Sequence, residues 1–167
     1  MPTIDVDGIA FTFPNDWLFS KYDEWLYYRA YAGARSGTKA VDLLAIDPDR
    51  TAWFIEVKDY RAHRRTKPTE LSHEVAQKVH DTLAVVLAAR TRALEGDELE
   101  MARKVSRAKR LRVVLHLEQP AKHSKLFPRA IDPADVKLKL RTLLKPVDAH
   151  PYVVEINDLR GLGWTAA

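Results

Sequence analysis

Asp42, Glu56 and Lys58 are the residues of this chain whose types and spacing suit chemistry. Glu56 and Lys58 stand two apart in "WFIEVKDYR", residues 53–61, a run otherwise made of the residue types that fill a strand interior. Side chains alternate along a strand, so the two charges share one side of it. A second apolar run, "AVDLLAI" (40–46), precedes it, and "DPDR" (47–50) between them reads as a turn, because Pro presets φ and Asp favours turn starts. A turn centred on Asp49 sets Asp42 opposite Glu56, with β-carbons about 4.5–5.5 Å apart. The face carrying Asp42, Glu56 and Lys58 continues through Leu44, Ile46, Ala52 and Phe54. The reverse face is Val41, Leu43, Ala45, Trp53, Ile55 and Val57, so the hairpin is expected to be covered on both sides.

Two carboxylates at that range repel unless a cation neutralises them. Few, hard oxygen ligands suit Mg²⁺, which keeps several of its waters, with Mn²⁺ as a substitute. Such an ion polarises a phosphoryl oxygen and lowers the pKa of a bound water. Lys58 would then orient the water or stabilise charge developing on the phosphate. The set suits metal-dependent phosphodiester hydrolysis.

The elements that must position these residues follow from pattern. "TIDVDGIAFTF" (3–13) reads as strand or hairpin, with "DG" as its turn. "PNDWLFSKYDEWLYY" (14–28) reads as a helix capped by Asn15 or Asp16. "RAYAGARSGTKAVDLLAI" is ambiguous from pattern alone, and can be read as an extended strand, a turn at "SGTK" and a second strand, "AVDLLAI". After the basic loop "RAHRRTKP", a long helix is expected from Thr69 to Gly96, and a charged segment continues to Arg112, partly helical. "RVVLHLE" is a strand and "AKHSKLFPRA" (121–130) a loop. "DPADVKLKLRTLL" carries clear helix-start signals in Asp132, Pro133 and Asp135, and "YVVEI" is a last strand. The order predicts an α/β fold: a mixed central sheet, an antiparallel three-strand meander plus an added strand, flanked by helices.

Composition bounds the rest. At 167 residues, 46% hydrophobic and 30% charged, the chain is expected to form a single globular domain, 1–167. It has no cysteine, which excludes disulfides and thiolate metal sites, and no apolar run long enough to span a bilayer. A cytoplasmic location is the expectation. A formal charge of +4 permits a polyanionic partner without requiring one.

At "AVDLLAI", the turn and "FIEVK", the sequence resembles the PD-(D/E)XK nuclease superfamily, which includes restriction endonucleases and Holliday-junction resolvases. Asp42 stands for the family's aspartate and Glu56-Val57-Lys58 for its E-x-K, with Val41 where the family name has proline. The resemblance implies a restriction endonuclease-like core over about residues 15–118 and a helix–strand extension over about 130–160. It assigns the first two strands of the meander to "YRAYAGARSGTKAVDLLAI". It implies a Mg²⁺- or Mn²⁺-dependent endonuclease on DNA, with Asp42 and Glu56 as metal ligands and Lys58 as catalytic lysine. It further implies a first-helix acid, Glu24 ahead of Asp23, as a third metal ligand, and a polar auxiliary on the following helix, Gln77 or Lys78, of which Gln77 is taken.

Arg61, Arg64, Arg65 and Lys67 are candidate phosphate contacts beside the site. "RKVSRAKRLR" (103–112) is a solvated helix face or a second phosphate-tracking patch. Cutting both strands with one small site implies a homodimer. The competing expectation is a catalytically silent nucleic-acid-binding or protein-interaction domain on the same scaffold.

Overall fold

The structure, a computed structural model, describes residues 1–126 and 129–167. Residues 127 and 128 of the loop expected at 121–130 lie outside the described residues. Strands β1 (Thr3–Val6) and β2 (Ile9–Thr12) form the hairpin read from "DG". Asp7 and Gly8 sit at φ 52° and 80°, the positive pair that a tight two-residue hairpin turn needs. Strand β8 (Thr165–Ala166) pairs with β2 to complete a three-stranded sheet.

The larger sheet has the order β3-β4-β5-β6-β7, built from Leu18–Lys21, Leu43–Ile46, Thr51–Asp59, Arg110–Glu118 and Tyr152–Val154. Strands β3, β4 and β5 are antiparallel neighbours, and β6 and β7 run parallel to β5. The helices are α1 (Leu26–Ala34), α2 (Leu71–Arg92), α3 (Gly96–Ser106) and α4 (Pro133–Leu143). Asp132 caps α4 by accepting the Ala134 N–H at 2.9 Å. Among the described residues no helix is long and apolar enough to cross a membrane.

The β4–β5 register pairs Leu43 with Ile55 and Leu44 with Phe54, as the turn chemistry requires. Asp47 holds that turn: its carboxylate accepts the Thr51 N–H at 2.8 Å and the Trp53 indole N–H at 3.0 Å. Both faces are covered. Leu44, Ile46, Ala52 and Phe54 lie against Val75, Val79 and Val86 of α2. Leu43, Ala45, Ile55 and Val57 lie against Ile9, Phe11, Phe13 and Trp164 of the small sheet's side.

Two expectations are corrected. The stretch 14–28 is not one helix: Leu18–Lys21 is a strand, followed by a 3-10 turn at Tyr22–Glu24 and then α1. Pairing with β4, Leu18 opposite Ile46 and Phe19 opposite Ala45, decides it, since Leu18 and Phe19 each reach a different core. Conversely, the segment read as strand from Tyr28 is helical to Ala34, where alanines favour helix. The meander's first strand therefore precedes α1 rather than following it. The long helix ends ahead of Gly96 as expected, at Arg92, and the charged segment after it is partly helical, as α3.

Candidate functional site

Asp42 lies one residue ahead of β4, where the ladder to β5 stops. Its Oδ2 accepts the Val57 N–H at 2.6 Å, which fixes the carboxylate against β5. Its Oδ1 lies 3.8 Å from the Lys78 Nζ. Glu56, inside β5, is fully buried. Its Oε1 receives two ammonium groups, Lys58 and Lys78, each at 2.5 Å. Its Oε2 is buried without a hydrogen-bond partner among the described residues. Asp42, Glu56 and Lys58 thus share one site, and Lys78 of α2 closes it.

Burial, followed by the charge of Asp42, pushes the Glu56 carboxyl up to about 7, against the pull of Lys78 and Lys58. Burial would lower Lys58, but the Glu56 charge and hydrogen bond outweigh it and hold the ammonium above its ordinary range. Glu74, on the same side of α2, lies 4.0 Å from Lys58. Burial raises Glu74, but hydrogen bonds from Lys67 and Arg65, at 2.8 and 2.7 Å, hold it at about 2. Asp23 is raised by burial and then by the charge of Asp42.

The remaining expected residues stand elsewhere. Gln77 is exposed. One residue along a helix turns the side chain by about 100°, and that step brings Lys78, not Gln77, to the site. Glu24 is exposed and pairs with Lys21 at 3.1 Å. Its neighbour Asp23 is the acid that feels Asp42 and Lys78. Arg61 is tied to Asp59 at 2.7 Å, and Arg64 donates to the Lys125 carbonyl at 2.7 Å. Arg65 donates to the Tyr60 hydroxyl, the Thr69 carbonyl and Glu74. The basic loop is therefore strapped to its own surroundings. Glu74 is what the sequence reading missed: it looks like a surface partner of Lys78 four residues on. Its signal is the adjoining Val75 and Val79, which turn that side of the helix towards the sheet.

Among the described residues no group of three His, Cys, Asp or Glu side chains is arranged to hold a metal ion. No family model matches the chain, and no solved structure matches it. Among curated proteins, a cysteine–tRNA ligase of Neisseria meningitidis serogroup A is 28% identical over 209 aligned residues, with 100% of this chain and 30% of the ligase covered. This overturns the DNA-endonuclease expectation. The relative is named for an RNA substrate and for making a bond, whereas Asp42 and E-x-K alone are too few residues to fix a reaction. The chain is thus similar, along all of its length, to less than a third of a tRNA ligase.

Proposed function

We propose that this chain is an RNA-binding module that works on tRNA. The observation that carries the reading is the similarity of the entire chain to part of a protein named for tRNA. Binding, rather than aminoacylation, is assigned because the alignment spans 30% of that ligase. The site supports the reading chemically. Lys58 and Lys78 keep 17% and 15% of their side chains exposed, so their ammonium groups meet both the buried Glu56 and solvent. A phosphate oxygen arriving from solvent would take the donors that Glu56 leaves free, since each ammonium has three.

Mg²⁺ or Mn²⁺ remains part of the proposal. The partnerless Glu56 Oε2 and the Asp42 Oδ1 are the oxygens that would hold it, and two carboxylates fit an ion that retains water ligands. When bound, the ion would supply positive charge to an RNA phosphate. The scaffold is read as restriction endonuclease-like without the cutting activity. The antiparallel β3-β4-β5 unit followed by parallel β6 supports that reading.

The test is fluorescence anisotropy with a tRNA transcript and a DNA duplex of equal charge over a salt series. The protein is expected to prefer tRNA, and Lys58→Met with Lys78→Met to weaken tRNA binding by on the order of tenfold and to flatten its salt dependence. Equal affinity for DNA, or no binding of tRNA, overturns the proposal.

A further inference from the structure

The run 103–112 is the most basic stretch of the chain, and nothing in the site above uses it. The structure gathers part of it with the end of α2. A cleft of about 250 Å³ is lined by Arg90, Thr91, Arg103, Ser106 and Arg107. Among the described residues none of these three arginines has a carboxylate partner. Arg103 donates its Nε to the Arg90 carbonyl at 3.3 Å, which orients its guanidinium and leaves its terminal nitrogens without an acceptor among the described residues. The two hydroxyls spend their protons on helix carbonyls, Thr91 on Ala88 and Ser106 on Ala102. An incoming anion therefore meets guanidinium groups, each with donors in a fork that matches phosphate.

A second, larger cleft of about 770 Å³ shares Arg103 and Arg107 and adds Arg50 and Lys104. Arg50 is anchored by its guanidinium to the Arg107 carbonyl, which joins the two clefts at the β4–β5 turn. Lys109 and Arg110 are exposed just beyond. The bland account is that basic residues at helix ends offset the helix dipole. That needs roughly half a charge per helix end, far less than three guanidinium groups in one cleft. Three acids line the larger cleft: Glu100 is paired with Lys104 at 2.9 Å, Asp47 accepts the Thr51 N–H and the Trp53 indole N–H, and Asp16 lies in the larger cleft only, outside the cleft of Arg90, Arg103 and Arg107.

We infer that the cleft of Arg90, Arg103 and Arg107, continued by Arg50, is a second phosphate-binding surface for the RNA backbone. The inference rests on the tRNA reading above and deepens it. Lys58 lies seven residues along β5 from Thr51, about 23 Å at the rise of a strand. A mononucleotide cannot bridge the two ends of the sheet, whereas a folded RNA can. The ligand is thus a structured polyanion that touches both ends.

The experiment compares wild type, Arg103→Gln/Arg107→Gln and Lys58→Met/Lys78→Met in anisotropy titrations with a tRNA transcript and an equally charged DNA duplex, at several KCl concentrations. Circular dichroism confirms that each variant is folded. Both arginines are exposed, and their replacement is expected to leave the fold intact. The arginine variant is expected to bind tRNA about tenfold more weakly in 0.1 M KCl, with the slope of log K against log salt smaller by about 1.5–2. Unchanged tRNA affinity and slope in this variant, with weakened binding in the lysine variant, overturns the inference and leaves the tRNA reading standing. Equal wild-type affinity for tRNA and DNA, with the arginine variant weakened on both, overturns the tRNA reading and keeps the phosphate surface. A wild type that binds neither nucleic acid overturns both.

Discussion

Replacing Glu56 by Gln separates two costs that the wild-type site combines. The first is fixed. Gln keeps the shape of the protonated carboxyl but presents an N–H₂ group to Lys58 and Lys78, a cost that does not change between pH 5 and pH 8. The second depends on pH. Folding raises the Glu56 carboxyl from 4.5 to about 7, so the folded chain holds that proton more tightly than the unfolded chain does. Its contribution to stability is complete below pH 4.5 and is lost as the pH rises through 7. Between pH 5 and pH 8 the loss is roughly 2–3 kcal/mol. Gln cannot titrate, so the variant does not suffer it. The gap between wild type and Glu56→Gln should therefore shrink by roughly 2–3 kcal/mol over that interval. Urea denaturation at pH 5, 6, 7 and 8, at constant ionic strength, measures the gap directly. Other titrating groups cancel in the difference. Parallel stability curves, or a gap that widens with pH, would refute the reasoning that burial governs this carboxyl.

Buried His116 should tilt stability the other way. Burial, and then the charge of Arg61, lower it from 6.5 to about 4, so its contribution is present above pH 6.5 and lost as pH falls through 4. A His116→Leu variant should accordingly resist acid better than wild type between pH 6.5 and 4, as followed by circular dichroism. Glu74→Gln should match the wild type's pH dependence above pH 4.5 and diverge only below it, because folding lowers that carboxyl from 4.5 to about 2. The same variant should speed amide hydrogen exchange in residues 61–69, since Arg65 and Lys67 lose their anchor. Gly163→Ala should destabilise by about 1–3 kcal/mol and alter tryptophan emission, since overpacking is costly. The added β-carbon would stand 2.7 Å from a ring carbon of Trp17, in the cluster with Trp53 and Trp164. A variant that melts with the wild type would show that the ring moves aside freely.

The central hairpin was legible because its turn is written in side chains. Asp47, Pro48 and the facing apolar runs fix the register, and the register sets Asp42 near Glu56. The segment 17–34 was not legible. Its aromatics repeat closely enough to satisfy a helix, and only the unpaired edge of β4 selects a strand at Leu18–Lys21. For each accessory position the sequence offered two adjacent candidates, and the fold brings the less favoured one, Lys78 rather than Gln77 and Asp23 rather than Glu24, within the influence of Asp42. Sequence spacing gives a helix period but not its phase against a sheet that is distant in the chain. The reaction was legible least of all. A carboxylate pair and a lysine are equally consistent with a metal site and with a buried ion-pair cluster, and the likeness to a tRNA ligase lies in the whole chain rather than in those three residues.

The two oxygens of Asp42 belong to different structures. One stands in for the carbonyl that β4 would have offered had it continued, and it accepts the Val57 N–H. The other faces Lys78. Asparagine has the same shape but only one acceptor, and the backbone claims it. Its amide must then turn an N–H₂ group towards the lysine, where wild type presents an oxygen. The mildest replacement on paper thus reverses the polarity facing an ammonium. Alanine merely vacates the place. For this residue, likeness of form is a poor guide to likeness of effect.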